Sequence, residues 1–345
     1  MKVRISAALA TAVAVTVTAA IVASAASDGR AASKQLVIGD ILYNNDAYQT
    51  AQQKHEAAYA KSLGIKIIFE NQLGQGTNAP NLMEDLLSKH VDGVIFQPAD
   101  ATVAVPLVRQ AQKKHVPVLG WAIPFGAGVK TPYVGLAESA ETFAAGKRAA
   151  TYVTKNFPGQ PVKVLIVTIK GVSICQTVRM GPFANGVKSV VPNATIVTID
   201  GAGDRNRAVT VTEDELQRET DFNIATGCNS DMAFGALQAF KAAGLANATN
   251  KRPAHTYFYS INGSDEELRS LTDATSPLME DLGLTPKEVA KTLIDTLLKM
   301  IHGKIEPYGT YTTNVPDKVL SPDCTAANAF NKIEYFASSN LPCVG

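Results

Sequence analysis

The sequence predicts an α/β protein built from two doubly wound parallel-sheet domains, and three observations predict it. Short β-branched runs alternate with amphipathic helical stretches from residue 35 onward, and the pattern occurs twice in series. About 310 residues follow a distinct N-terminal segment, the length of two ordinary domains. Apolar residues make up 46% and charged residues 18% of the 345, a composition that packs a core.

The N-terminal segment reads as an export signal over residues 1–33. Lys2 and Arg4 form a short basic start, residues 5–23 are almost wholly apolar, and Ala23-Ser24-Ala25 and Arg30-Ala31-Ala32-Ser33 supply small-residue cleavage sites. A retained membrane anchor is the alternative, since the run is nearly long enough to span a bilayer. The dominance of Ala, Ser and Thr and the two cleavage-like sites favour export. No Cys follows the apolar run, so the usual lipoprotein attachment is unavailable.

In the first passage residues 35–41 form a strand, 47–63 a helix and 65–70 a second strand. Asn78-Ala79-Pro80 begins a helix that runs to His90, with Leu82, Leu86 and Leu87 on one face. A strand over 93–96, a helix over 102–115 and strands over 116–121 and 133–136 follow. The second passage opens with a strand over 162–168 and a helix over 178–190. Strands at 195–199, 222–226 and 256–261 then alternate with helices at 211–220 and 232–243. Lys113-Lys114 and Lys147-Arg148 read as solvated helix faces. A net charge of +1 argues against nucleic acid or an anionic membrane as partner.

Four cysteines in an exported chain favour disulfides, with three connectivities open to them. Cys324 and Cys343 share the tail beyond the last strong helix and pair on that ground, which leaves Cys175 with Cys228. The latter two follow the first and third strands of the second domain, which are neighbours in a flavodoxin-like order. No CxxC or Cys-His cluster suggests a metal.

In doubly wound sheets ligands bind beyond the carboxyl ends of the strands. Those ends carry Tyr43-Asn44-Asn45-Asp46-Ala47-Tyr48-Gln49, Gln97-Pro98-Ala99-Asp100 and Trp121-Ala122-Ile123-Pro124-Phe125 in the first domain. In the second they carry Ser173 to Arg179, Cys228-Asn229-Ser230-Asp231 and Asn262-Gly263-Ser264-Asp265. Amides, hydroxyls, one arginine and aromatic rings suit a neutral polyhydroxylated ligand, because each amide offers both donor and acceptor to hydroxyls. Asn and Asp also favour such loops as helix caps whatever the function. Trp121, the sole tryptophan, lies at a strand end between Pro117 and Pro124 and reads as a stacking surface for the ligand.

These residues resemble the type I periplasmic binding proteins, in particular the ribose-binding-protein-like sugar receptors of ABC transporters. The resemblance rests on Asp92-Gly93-Val94-Ile95-Phe96-Gln97-Pro98-Ala99-Asp100, His115-Val116-Pro117-Val118-Leu119-Gly120-Trp121, Cys228-Asn229-Ser230-Asp231-Met232-Ala233-Phe234-Gly235-Ala236 and Ile261-Asn262-Gly263. It covers residues 35 to about 303. It implies ligand contacts at Asn45 and Tyr48 with Tyr43 and Gln49 beside them, and at Gln97, Arg179 and Asn229. Asn262 stands where the family places a carboxylate, and a further polar contact falls on Glu280 or Asp281. Ala122-Ile123 replaces an Asp-Arg pair common in relatives, and the last 40 residues run past the usual family end.

The resemblance implies domains over 34–137 with 281–307 and over 138–280 with 308–345, joined by three hinge crossings near 137, 262–281 and 305–310. The expected protein is an exported monomer of the periplasm or cell envelope that delivers its ligand to an ABC permease and uses no cofactor. Loss of the Asp-Arg pair favours a linear four- or five-carbon polyol, with a cyclic monosaccharide such as a pentose as the alternative. A secreted carbohydrate-acting enzyme is the rival of a different class. No Gly-x-Gly-x-x-Gly, Walker lysine, His-Glu-x-x-His or Gly-x-Ser-x-Gly supports it, and none of the five histidines shares a strand-end loop with a nucleophile. A sugar-responsive repressor needs a helix-turn-helix where the export segment stands.

Overall fold

The computed structural model describes residues 35–246, 255–341 and 343. The export segment expected over 1–33 lies outside the described residues. The chain builds one sheet, crosses to a second, and returns to both.

The first lobe runs β1 (Val37–Leu42), α1 (Ala47–Ser62), β2 (Lys66–Asn71), α2 (Ala79–Ser88), β3 (Gly93–Phe96), α3 (Ala101–Lys113), β4 (Val118–Trp121) and β5 (Tyr133–Leu136). The second begins with α4 (Glu138–Asn156) and β6 (Lys163–Thr168), then a π-helical segment Ile174–Met180 that continues into α5 (Gly181–Val190). It continues with β7 (Thr195–Asp200), α6 (Arg205–Leu216), β8 (Ile224–Gly227), α7 (Ser230–Ala242), β9 (Tyr257–Asn262), α8 (Asp265–Thr272) and β10 (Leu278–Gly283). Next come α9 (Pro286–Ile301), β11 (Thr312–Val315), β12 (Lys318–Leu320) and α10 (Cys324–Glu334).

The first sheet has the order β11-β5-β4-β3-β1-β2 and the second β12-β10-β9-β8-β6-β7. Every pair is parallel except β10 with β12 at one edge. Both sheets follow the flavodoxin-like order, which reverses beside the first strand and opens a crevice at the strand carboxyl ends. Strands β3, β4 and β8 are buried along their whole length, as expected of parallel strands covered by helices on both faces.

The chain passes between sheets at residue 137, at 284–285 and at 316–317. The last two passages fall later than the expected 262–281 and 305–310. Helix α9 and β11 therefore belong with the first sheet, and β10 and β12 with the second. Patterning misplaced the boundary because β10 is an ordinary buried strand whose sheet is decided by its partner, β9.

Two helices also depart from expectation. Helix α6 starts at Arg205, six residues early, because Asp204 accepts the Arg207 N–H and caps it. The helix expected at 178–190 begins instead as the π-helical segment, in which the Gly181 N–H reaches back five residues to the Gln176 carbonyl. Pro182 has no N–H to give the Val178 carbonyl, and Thr142 Oγ1 of α4 donates to it at 3.1 Å instead.

Candidate ligand-binding cleft

The carboxyl ends of both sheets face one interlobe cavity, with about 70 Å³ open to the centre of a water molecule. One water needs roughly 10–15 Å³ by that measure, so the space suits a small solute. Tyr43, Asp46, Tyr48, Gln49, Gln97 and Trp121 line it from the first lobe. Arg179, Asn229, Asn262 and the paired Cys175 and Cys228 line it from the second.

On the first lobe, Asp46 caps α1 by accepting the Gln49 N–H at 2.8 Å, which turns the first helical turn toward the cavity. Burial raises the Asp46 carboxyl above its usual range despite that bond. Gln49 Nε2 donates to Gln97 Oε1 at 2.8 Å, while Gln49 Oε1 is buried with no partner. Gln72 sets the height of Gln97. Its Nε2 donates to the carbonyls of Leu42 and Gln97, and its Oε1 accepts the Ala99 N–H, so it laces the ends of β1 and β3 together. Gln72 is wholly buried and follows the edge strand β2, whose end loop is not among those singled out from the sequence.

Tyr48 Oη and Trp121 Nε1 are also buried without partners. An unmade bond at such an atom costs about 1–3 kcal/mol, so both are poised to bond a guest. Burial, and then the nearby Glu138 charge, push the Tyr48 hydroxyl well above its ordinary pKa, which keeps it a neutral donor. Ala122, Ile123, Leu136 and Leu284 complete an apolar wall.

On the second lobe, Arg179 is spoken for on two sides. Its Nε and Nη2 donate to the two Glu138 carboxylate oxygens at 2.6 and 2.7 Å, and Nη1 donates to the Cys228 carbonyl at 2.8 Å. Both side chains are buried, so the pair is charge-neutral within the wall. Asp317, on the third crossing, faces this pair. Burial pushes its carboxyl up to about 7, Glu138 adding to the effect and Arg179 opposing it. Asn229 Oδ1 accepts the Met232 N–H at 3.1 Å and caps α7 at the cavity wall.

The disulfides join Cys175 to Cys228 (Cα–Cα 5.3 Å) and Cys324 to Cys343 (Cα–Cα 5.8 Å). The first is part of the cavity wall itself. Strands β6 and β8 are adjacent in the sheet, which brings their loops within reach.

Three expected contacts are not brought to the cavity. Asn45 is exposed and faces an outer groove with Arg205 and Glu266, because the neighbouring Asp46 takes the helix-capping position. Glu280 accepts two bonds from Arg148 at 2.6 and 2.8 Å and one from Tyr257 Oη at 3.0 Å. Arg148 is thus an ion-pair partner and not a merely solvated residue. Asp281 is fully buried beside Glu267, and burial with that neighbouring charge raises its carboxyl well above the usual range. Both acids lie inside β10, about 10–13 Å of strand short of Leu284, which does line the cavity.

Sequence comparison matches residues 41–305 to the periplasmic binding protein domain. The chain is 23% identical to the ribose import binding protein of Bacillus subtilis over 274 residues, 79% of this chain and 83% of that one. It is 25% identical to the xylitol-binding protein of Mycolicibacterium smegmatis over 226 residues, 64% of this chain and 62% of the relative. A solved ABC transporter solute binding protein from Mycobacterium smegmatis, with bound glycerol, superposes with a TM-score of 0.73. That likeness covers 89% of this chain and 99% of the other at 20% identity, and it is one of fold.

Proposed function

The chain belongs to the periplasmic binding protein family, and on that premise we propose that it captures a linear four- or five-carbon polyol between its lobes. The loaded receptor is delivered to an ABC permease outside the cytoplasm. The observation that carries the ligand class is the neutralised Arg179. With Glu138 gripping it in two places, the cavity offers among the described residues no free cation to an acidic ligand. The Asp46 carboxyl in the lining is engaged in capping α1, and the other polar atoms are neutral donors and acceptors. Gln49 Oε1, Trp121 Nε1 and Tyr48 Oη, all unpartnered, supply one acceptor, one donor and one group of both kinds.

A flexible polyol can bend its hydroxyls to these scattered atoms while its carbon chain lies on Ala122, Ile123, Leu136 and Leu284. A cyclic sugar has fewer charged acceptors here, since Ala122-Ile123 replaces the Asp-Arg pair common in relatives. The likeness to a xylitol-binding protein supports the polyol, and that to a ribose import binding protein supports the pentose as second reading. Among the described residues no histidine lines the cavity, so they offer no imidazole base for hydrolysis there.

Isothermal titration with erythritol, xylitol, ribitol, ribose and xylose tests the proposal. Micromolar binding of an alditol with weaker aldose binding is the expected outcome. Binding of an aldose alone overturns the polyol and leaves the receptor reading in place.

A further inference from the structure

Residues 306–345 lie beyond the stretch that matches the family, and their helix α10 joins the two lobes. The helix is rooted on the second lobe. Asn331 Nδ2 donates to Asp265 Oδ1 at 2.7 Å, and the Phe330 ring sits so close to Gly283 that a Cβ there would meet it at 2.7 Å. Gly283 immediately precedes the second hinge crossing. The Cys324–Cys343 bond closes the tail on itself, and Asn328 Oδ1 accepts the Leu341 N–H at 2.7 Å within that loop.

The far end of α10 is anchored on the first lobe. His55 Nε2 of α1 lies 2.9 Å from the Glu334 carbonyl, and its ring stacks on Phe336 with centroids 4.2 Å apart. The Glu334 carboxylate accepts the Lys287 N–H in the first turn of α9 at 2.9 Å. Between the two anchors, Tyr335 Oη donates to the Asn262 carbonyl at 2.7 Å. Asn262 has φ +142, a backbone conformation that favours glycine, and the Leu284 N–H holds the same carbonyl at 3.1 Å. That peptide carries the Asn262 side chain to the cavity.

We propose that α10 and the following Tyr335 and Phe336 form a strap that ties the closed lobes together and, through Tyr335, positions Asn262 in the ligand seat. The role of Tyr335 rests on reading the cleft as a ligand site; the strap does not. Opening the lobes must pull Glu334 and Phe336 from His55 and Lys287, or draw Tyr335 away from Asn262. Either way the closed form gains contacts that the open form lacks, and the equilibrium between them shifts toward closure.

The strap is tested by small-angle X-ray scattering of the unliganded protein. Phe336→Ala, at a half-exposed ring, removes the stack on His55. The double variant His55→Ala with Phe336→Ala also removes the His55 bond, leaving only the Glu334–Lys287 contact on the first lobe, and neither touches the cavity lining. Both are expected to have a larger radius of gyration than the parent. A radius unchanged in the double variant overturns the strap. Tyr335→Phe removes only the hydroxyl and is expected to release xylitol about tenfold faster at an unchanged association rate, the scale of one hydrogen bond. Unchanged release overturns the positioning role. Failure of the parent protein to bind any alditol or pentose counts against the ligand reading alone, because the scattering comparison uses no ligand and decides the strap by itself.

Discussion

Glu138 decides what Arg179 can do. A buried guanidinium alone would attract a carboxylate, yet the Glu138 oxygens at 2.6 and 2.7 Å already occupy its fork. Glu138→Gln leaves the guanidinium uncompensated, a change that costs about 3–5 kcal/mol when one partner of a buried pair is removed. The variant is expected to melt lower and to bind an aldonate that the parent rejects, both read by thermal shift with and without xylonate. Buried carboxyls give a second outcome at this scale. Burial raises Asp40 to about 6 and Asp317 to about 7, from 3.8 when unfolded. The folded state therefore holds more protons, so this contribution to stability is full below pH 3.8 and is lost as pH rises through 6 to 7. His55, lowered mainly by burial, opposes the trend below its ordinary value of 6.5. The melting temperature is expected to fall between pH 5 and pH 8, and the slope to flatten in Asp40→Asn. A slope equal to the parent's in that variant counts against Asp40 as its source.

Among the elements, the π-helical segment and α4 act as a unit. Thr142 satisfies the Val178 carbonyl that Pro182 cannot, and Glu138 at the start of the same helix holds Arg179 from the π segment. Helices α4 and α5 approach closely enough that a Cβ on Gly146 would collide with the Phe183 carbonyl. Gly146→Ala is expected to destabilise by about 1–3 kcal/mol, as overpacking does, and to weaken ligand binding through displaced Arg179. Denaturant melts and titration of the same variant check both effects. The Cys175–Cys228 bond closes 53 residues, for which loop-entropy reasoning gives roughly 4 kcal/mol. Since both cysteines also line the cavity, Cys175→Ala with Cys228→Ala is expected to lose affinity as well as stability. A less stable variant with unchanged affinity would show that the bond only braces the loops.

At the scale of the molecule, the proposed ligand seat lies between two lobes that three chain crossings and helix α10 join. A ligand that contacts both lobes binds the closed form best and therefore draws the population toward it. By mass action, ligand at a hundred times its dissociation constant adds about 2.7 kcal/mol to native stability. A cognate alditol is thus expected to raise the melting temperature by several degrees, and a non-binding sugar of equal concentration to leave it unchanged.

Local pattern in the chain determined the two α/β lobes, because strand and helix periods are properties of short segments that survive any arrangement of the whole. It also marked the strand-end loops and Trp121, and of the eleven contacts expected from these and from the family resemblance eight line one cavity: Tyr43, Tyr48, Gln49, Gln97, Trp121, Arg179, Asn229 and Asn262. Adjacency of β6 and β8 in the sheet made the pairing of Cys175 with Cys228 legible for the same reason. Which side chains are free once the chain is folded was not legible. Glu138 and Arg179 stand 41 residues apart, and Glu280 and Arg148 132 apart, and nothing local in the chain joins either pair. Gln72 and Tyr335 were hidden likewise, since each acts on a backbone carbonyl brought near only by the fold. The sequence by itself determined which loops could meet a ligand. Only the tertiary structure decided which polar groups there remain unspent, because hydrogen bonds and ion pairs are settled by distances that packing alone creates.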